Sequence, residues 1–315
     1  MICLDPFKNL SIFNTNNQLS IGPCCIAKHS AAKSIDFYDK QLVSIRDQWA
    51  HGSFPTECNN CKIGASNRIQ GNQKWYSDRG IVDLTPELIR LDYWVGDTCN
   101  LQCVICGPEN SSSWKKELGL ITIKRTVNPF WKDVDLTKLQ YVHLTGGEPL
   151  LSKEHLDFLN AIPDKSKVRL DYNTNGTILP NQSILDLWAK FDLVQLNFSI
   201  DDIGKRFEYI RYPASWDQVI SNLDWFYQHS PVNVMFAVGT SIGILNQKYL
   251  PDLVAWMAEN FSSNRLGDPV EHRIQDVSGI LSKISPRDEV KIFLDQCDAR
   301  RKTNWRDLYP ELIED

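Results

Sequence analysis

The 315-residue sequence is short of several things, and each shortage excludes a class of protein. It has no apolar run of the about 20 residues that span a bilayer. Its N-terminus, MICLDPFKNLSIF, has no basic region ahead of an apolar core, so no signal peptide is expected and the expected location is cytoplasmic. It has no surplus of positive charge: 34 Lys and Arg stand against 39 Asp and Glu, for a net charge of −5. Binding driven by phosphate neutralisation needs a basic surface, so no nucleic-acid partner is expected. The one basic stretch, WKKELGLITIKRT at 114–126, reads as a solvated helix face and loop. Internal repeats and low-complexity segments are missing too.

Cysteine, by contrast, is plentiful: Cys3, Cys24, Cys25, Cys58, Cys61, Cys99, Cys103, Cys106 and Cys297. In a reducing compartment, clustered cysteines bind metal or do redox chemistry more often than they form disulfides. Seven fall in two groups, Cys24/Cys25/Cys58/Cys61 and Cys99/Cys103/Cys106. Cys3 and Cys297 stand alone and read as ordinary packed or partly exposed thiols.

From about residue 88 the sequence alternates short apolar strands with helix patterns. Strands are predicted at 90–96, 139–147, 167–176, 193–201 and 232–241, with a sixth near 270–277. The clearest helix is SWDQVISNLDWFYQH, where Ser215 and Gln218 form a capping box and Trp216, Val219, Ile220, Leu223 and Phe226 recur at helical spacing. A second, LPDLVAWMAENF, carries Pro251 in its first turn. Strand–helix alternation implies a parallel sheet with right-handed crossovers.

Four of these strands carry a polar file: Arg90 and Asp92; His143 and Thr145; Arg169, Asp171, Asn173 and Asn175; Asn197, Ser199 and Asp201. A parallel sheet buried on both faces by packing alone reads as continuous apolar runs. A sheet curled around a polar cavity, wider or less complete than a packed eight-stranded barrel, fits better. The alternative is a sheet with one solvated face, against which the crossover helices argue. Residues 1–85 look different: a hairpin around NTNNQLSIGPCC, a helix over 34–49 and a CNNC turn, read as a small separate α+β domain. The junction falls at 76–87.

Three cysteines at Cys-x3-Cys-x2-Cys leave a tetrahedral zinc one ligand short, and His143 is the nearest histidine downstream. A cubane iron–sulfur cluster takes one ligand per iron, so three cysteines leave one iron open for a small chelating molecule. Placed after the first strand of a βα barrel, this spacing closely resembles the radical S-adenosylmethionine superfamily. LTGGEPLL, NTNG and FSID, which end the second to fourth strands, resemble it too. The resemblance spans roughly residues 88–245 and implies a partial (β/α)6 barrel over 86–315 with a C-terminal helical tail. It implies a [4Fe–4S] cluster on Cys99, Cys103 and Cys106 with S-adenosylmethionine on the open iron. It also implies cofactor binding by Gly146, Gly147, Glu148, Pro149, Asn173, Asn175, Ser199, Asp201 and, more loosely, Arg211. Glycines let backbone approach a ligand closely, and a carboxylate suits an ammonium. One departure is Ile105, where many members have an aromatic residue near adenine.

The cysteines at 24, 25, 58 and 61, with a Ser-x-Arg at Ser66-Asn67-Arg68, resemble the members with an N-terminal twitch domain, which holds an auxiliary cluster. That implies a second [4Fe–4S] cluster; a structural zinc is the alternative. Successive side chains of an extended segment diverge, so one of Cys24 and Cys25 need not be a ligand. The implied activity is reductive cleavage of S-adenosylmethionine to a 5′-deoxyadenosyl radical that abstracts hydrogen from a substrate. The expected partners are an electron donor such as a flavodoxin or ferredoxin and a peptide or protein substrate. A small-molecule or carbohydrate radical dehydrogenase or epimerase is the second expectation, and a non-catalytic metal-stabilised scaffold the third.

Overall fold

The computed structural model describes residues 3–15, 18–64, 66–120, 130–261, 270–276 and 287–312. Its strands are β1 (Asn9–Thr15), β2 (Gln18–Gly22), β3 (Ser30–Ala31), β4 (Arg90–Trp94), β5 (Tyr141–Thr145), β6 (Arg169–Thr174), β7 (Leu193–Ser199), β8 (Val234–Ile242) and β9 (Glu271–Asp276). They form one sheet in the order β3-β2-β1-β4-β5-β6-β7-β8-β9. From β4 to β9 every neighbouring pair is parallel and in sequence order. Helices Ser112–Glu117, Glu154–Ala161, Gln182–Trp188, Gly204–Ile210, Trp216–His229 and Leu250–Asn260 lie in the connections, as parallel pairing requires. All six predicted strands are present, and so are the helices predicted at 215–229 and 250–261; the helix expected over 34–49 starts later, at Lys40–Ala50, behind Asp39, whose carboxylate accepts from Gln41 N–H at 2.9 Å.

The outward file buries Leu91, Tyr93, Val142, Leu144, Leu170, Tyr172, Val194, Leu196 and Phe198 in one apolar core. Helix Trp216–His229 caps that core with Val219, Leu223 and Phe226. Its Ser215 hydroxyl accepts from the Gln218 N–H at 3.4 Å, and its Asn222 amide donates to Gly176 O at 2.8 Å, tying the helix to the end of β6.

The inward file is polar. The Asp171 carboxylate on β6 accepts from Arg169 Nε at 2.7 Å, Tyr141 OH at 3.1 Å and Arg273 Nη1 of β9 at 3.3 Å. Three strand steps separate β6 from β9, about 14 Å on a flat sheet. A direct arginine–carboxylate contact across that interval requires the sheet to curl, so the polar file faces a concave interior.

The first 31 residues extend the same sheet. β1 and β2 form the predicted hairpin, antiparallel from Ser11–Gly22 to Thr15–Gln18, and β1 also pairs parallel with β4. The strands of residues 1–85 join the barrel's sheet. Helix Ser66–Ser77 sets Trp75 beneath the barrel, with the Arg90 guanidinium 4.8 Å from its ring and 4.3 Å from that of Tyr141.

Candidate active site

β4 delivers the chain into the cysteine loop, and hydrogen bonds from several elements fix that loop. Cys99 O accepts from Ser112 Oγ at 3.1 Å and Ser113 Oγ at 2.7 Å. Ser111, the N-cap of the following helix, donates its hydroxyl to Leu101 O at 2.6 Å. The Trp114 indole donates to Cys103 O at 3.0 Å. The Gln102 and Val104 N–H groups donate to Tyr212 O and Ile210 O at 2.6 and 2.7 Å. From the C-terminal helix Arg287–Arg301, Arg301 donates to Gln102 O at 2.7 Å and lies 4.9 and 4.7 Å from the rings of Trp114 and Tyr212.

Held this way, Cys99, Cys103 and Cys106 face a cavity of about 230 Å³ that is also lined by Thr145, Gly146, Gly147, Asn173, Asn175, Ser199 and Arg211. Most of the residues singled out from the sequence therefore meet at one place, the C-terminal ends of β4 to β7. Burial pushes all three thiols up, Cys103 to about 12 and Cys106 to about 11. Donors surround the sulfurs: Leu101 N–H and Asn175 Nδ2 lie 3.4 and 4.0 Å from Cys99, and Arg211 Nη1 lies 3.9 Å from Cys103. Such donors favour thiolate, and binding of a metal displaces the remaining protons. Among the described residues no three His, Cys, Asp or Glu side chains close around a single ion. Three thiols spread about a common space suit a cluster, where each sulfur takes its own iron.

Glu148, Pro149 and Asp201 lie behind the cavity wall. The Glu148 carboxylate accepts from Leu150 N–H at 3.1 Å, Thr174 Oγ1 at 3.0 Å and Asn175 N–H at 2.7 Å; Pro149 opens the short helical turn that follows. Asp201 pairs with Arg211 Nε at 2.8 Å and accepts from Ser241 N–H at 2.8 Å. The glycines approach backbone as well as open space. A Cβ on Gly147 would stand 2.3 Å from Thr98 O, and one on Gly146, whose φ is +132°, 2.5 Å from Gly96 O. The Gly147 and Glu148 N–H groups donate to those carbonyls at 2.7 and 2.8 Å, so the GGE turn crosses directly under the chain leading to Cys99. Ile105 lines the cavity and packs on the C-terminal cluster of Tyr209, Leu294, Trp305 and Tyr309. Of the residues not singled out, Ser111 carried a readable cap signal before a helix; Arg301 carried none.

The second cysteine group differs from expectation. Cys24, Cys58 and Cys61 line a second cavity, and the fourth thiol there is Cys3, not Cys25. Cys3 was read as an ordinary thiol, but the chain from it enters β1, whose partner strand β2 ends just before Cys24, so the hairpin returns Cys24 to it. Cys25 is not among the residues lining that cavity, and its N–H donates to Asp92 Oδ2 at 3.2 Å. Asp5, Trp49 and Asn72 complete the lining. Burial pushes Cys3 and Cys24 up, and Cys58 to about 11. A set of four thiols without histidine suits iron–sulfur ligation and also satisfies zinc by count. The side chains of Ser66, Asn67 and Arg68 lie outside the described residues.

An open parallel barrel with a three-cysteine loop after β4 and a glycine turn after β5 defines a class of barrel enzymes that work through a bound cofactor. The family model for the radical SAM superfamily matches residues 94–250, about half of the chain, and the chain belongs to that superfamily. Its cofactors are accordingly a [4Fe–4S] cluster and S-adenosylmethionine. The GTP 3′,8-cyclase of Vibrio vulnificus strain YJ016 is 30% identical over 173 residues, 52% of this chain and 48% of the relative. That of Pectobacterium atrosepticum is 29% identical over 154 residues, 46% and 45% of the two chains. The chain spans about half the length of the curated relatives it matches. Among solved structures, Streptococcus suis SuiB bound to S-adenosylmethionine gives a TM-score of 0.43 at 14% identity, covering 85% of this chain and 60% of that one. Native anSMEcpe with bound AdoMet gives 0.43 at 15%, covering 60% and 51%. Among the described residues no helix is long and apolar enough to cross a membrane.

Proposed function

We propose that this chain is a radical S-adenosylmethionine enzyme that modifies a peptide or protein. The observation that carries the reaction class is the convergence of Cys99, Cys103 and Cys106 with Gly146, Gly147, Asn173, Asn175, Ser199 and Arg211 on one cavity. When bound, the cluster and S-adenosylmethionine supply reductive cleavage to a 5′-deoxyadenosyl radical, which takes a hydrogen atom from the substrate. The protein's share is binding, orientation and exclusion of water. The three cysteines hold the cluster. The GGE turn offers the methionine ammonium backbone acceptors, with Glu148 bracing the turn from behind. Arg211, charge-compensated by Asp201, would bind the carboxylate of S-adenosylmethionine, and Asn173, Asn175 and Ser199 would offer hydrogen bonds to its ribose. Ile105 gives adenine an apolar contact without stacking.

Residues 1–85 act in this reading as a twitch-like module built on the barrel's edge, with a second [4Fe–4S] cluster on Cys3, Cys24, Cys58 and Cys61. Residues 86–315 are the catalytic barrel and its tail. Electrons come from a flavodoxin- or ferredoxin-type donor. A cytoplasmic location suits nine cysteines none of which forms a disulfide. An extended peptide suits a sheet whose two end strands among the described residues, β3 and β9, do not pair with each other. The second reading, a small-molecule substrate, is favoured by the GTP 3′,8-cyclases, which match about half of this chain.

Purification without oxygen, assay of iron and sulfide, and addition of dithionite and S-adenosylmethionine test the class. The expected product is 5′-deoxyadenosine; its absence from iron-loaded protein would leave the non-catalytic scaffold as the better account. Stimulation of that product by GTP, and not by candidate peptides, would favour the second reading.

A further inference from the structure

Helix Lys40–Ala50 buries one face, on which Leu42, Ile45, Arg46 and Trp49 recur at intervals of three and four residues. Trp49 stands in the last turn, and the chain then reverses. Gly52, at a φ of +75°, donates its N–H to Trp49 O at 3.1 Å, and the Ser53 N–H donates to Gln48 O at 2.8 Å. The reversal brings the Phe54 ring against the indole, with centroids 4.8 Å apart. Beyond it the short helical turn Thr56–Cys58 delivers Cys58. Trp49 therefore packs in one cluster with Cys3, Phe7, Ile45 and Cys58, and both of those cysteines line the second cavity beside it.

Besides its thiols, that cavity is lined by three polar side chains: Asp5, Trp49 and Asn72. Two of them satisfy each other. The Asp5 carboxylate accepts from Asn72 Nδ2 at 2.6 Å and from Tyr76 OH at 2.9 Å. The third is left over. Trp49 is 6% exposed, and its Nε1–H is buried without a hydrogen-bond partner. An indole has one donor and no acceptor, so only an acceptor can satisfy it. Leaving such a group unmade costs about 1–3 kcal/mol, and a buried Trp N–H ordinarily has a partner. A neutral thiol accepts weakly, whereas a thiolate accepts a charge-assisted hydrogen bond. Burial pushes the Cys58 thiol up, and the Trp49 side chain pulls it back. The indole thus favours an anionic sulfur at Cys58, the form in which cysteine holds metal.

We infer that Trp49 is the outer hydrogen-bond donor of the second cysteine site, its Nε1–H directed to the Cys58 sulfur, and that it raises the reduction potential there. The inference rests on the reading of that cavity as a [4Fe–4S] site. Trp49 is not a ligand, because its ring nitrogen has no lone pair to give. It acts through Cys58. One-electron reduction adds a negative charge that is shared by the thiolate sulfurs, and a fixed N–H donor stabilises the more negative state more. Hydrogen bonds to sulfur are one of the means by which a protein sets the potential of a cluster. The indole also supplies this donor without adding a titratable group to the cavity.

The test needs no substrate. In the full chain with Cys99, Cys103 and Cys106 replaced by Ala, the second site alone should hold iron, about four atoms per chain. Its midpoint potential is measured by redox titration followed by EPR, at one pH, with Trp49 in place and with Trp49→Phe, which keeps an aromatic ring and removes the N–H. The expected result is a more negative potential in the Phe variant at equal iron content. A second measurement uses the triple-alanine chain with Trp49 intact and so covers the case in which the Phe variant does not hold iron. Electron–nuclear double resonance of the reduced cluster, after exchange into deuterium oxide and with 15N in the tryptophan indoles, should show one coupled deuteron and one coupled 15N. Among the described residues no other tryptophan lines this cavity. An unchanged potential in an iron-loaded Phe variant, or the absence of both couplings, overturns the role of Trp49 alone. Loss of all iron from the triple-alanine chain, or its replacement by redox-silent zinc, overturns the cluster reading of the second cavity, and the inference with it.

Discussion

The carboxylate of Glu148 and the backbone N–H of Asn175 are joined at 2.7 Å, and through that bond the turn after β5 is tied to the end of β6. Burial raises the folded-state pKa of Glu148 from 4.5 to about 7, against the hydrogen bonds from Asn175, Leu150 and Thr174 that lower it. A raised acid favours the folded chain in its protonated form. Its contribution is therefore fully present below about pH 4.5 and is lost as pH rises to about 7. The span corresponds to roughly 3 kcal/mol. Urea unfolding of the metal-free chain should show the natural protein losing more stability than Glu148→Gln between about pH 5 and about pH 7.5. Equal losses would show that Glu148 does not titrate in that window.

Gly147→Ala should act on the cluster loop without touching a cysteine. Its Cβ would meet Thr98 O at 2.3 Å, and that carbonyl is backbone. Overpacking of this kind costs about 1–3 kcal/mol. The expected outcome is a lower melting temperature and slower retention of iron at the first site; a variant that melts and holds iron like the natural chain would contradict the crossing described here.

Asp201→Ala leaves the Arg211 guanidinium buried beside a lost partner. Breaking such a pair costs about 3–5 kcal/mol, to be read by denaturant unfolding. Replacing both residues with Leu and Met should recover most of that stability, while weakening S-adenosylmethionine binding in calorimetry. Persistent tight binding in the double variant would remove Arg211 from the carboxylate site.

The two cysteines whose roles changed between sequence and structure offer a direct comparison. Cys3→Ala should lower iron content by about one cluster, about four atoms per chain, as should Cys58→Ala. Cys25→Ala should leave iron content unchanged. The reverse pattern would restore Cys25 to the ligand set.

The barrel was legible because its strands alternate strictly: a file of Leu, Tyr and Val beside a file of Asp, His and Asn can satisfy only a sheet with one apolar and one polar face. The convergence at the first cavity was legible from motifs at strand ends. What escaped was long-range. Nothing local in NLSIFNT says that β1 will lie parallel to β4, because that pairing is decided by the 74 intervening residues closing a loop. Cys3 escaped for the same reason, since its partners arrive through a hairpin and two helices. Asn222 sat in a helix pattern as a polar residue, and only the contact with Gly176 O explains its burial.

Arg301 reaches back across 199 residues to hold the carbonyl of Gln102. At about 5–20 residues per second, synthesis places about 10–40 s between the emergence of the two. Through that interval the first cysteine loop is out of the ribosome while its last clamp is still unmade. Loading of iron at Cys99, Cys103 and Cys106 is therefore expected to follow emergence of residue 301, and a chain truncated before residue 301 should collect its thiols but not retain the metal.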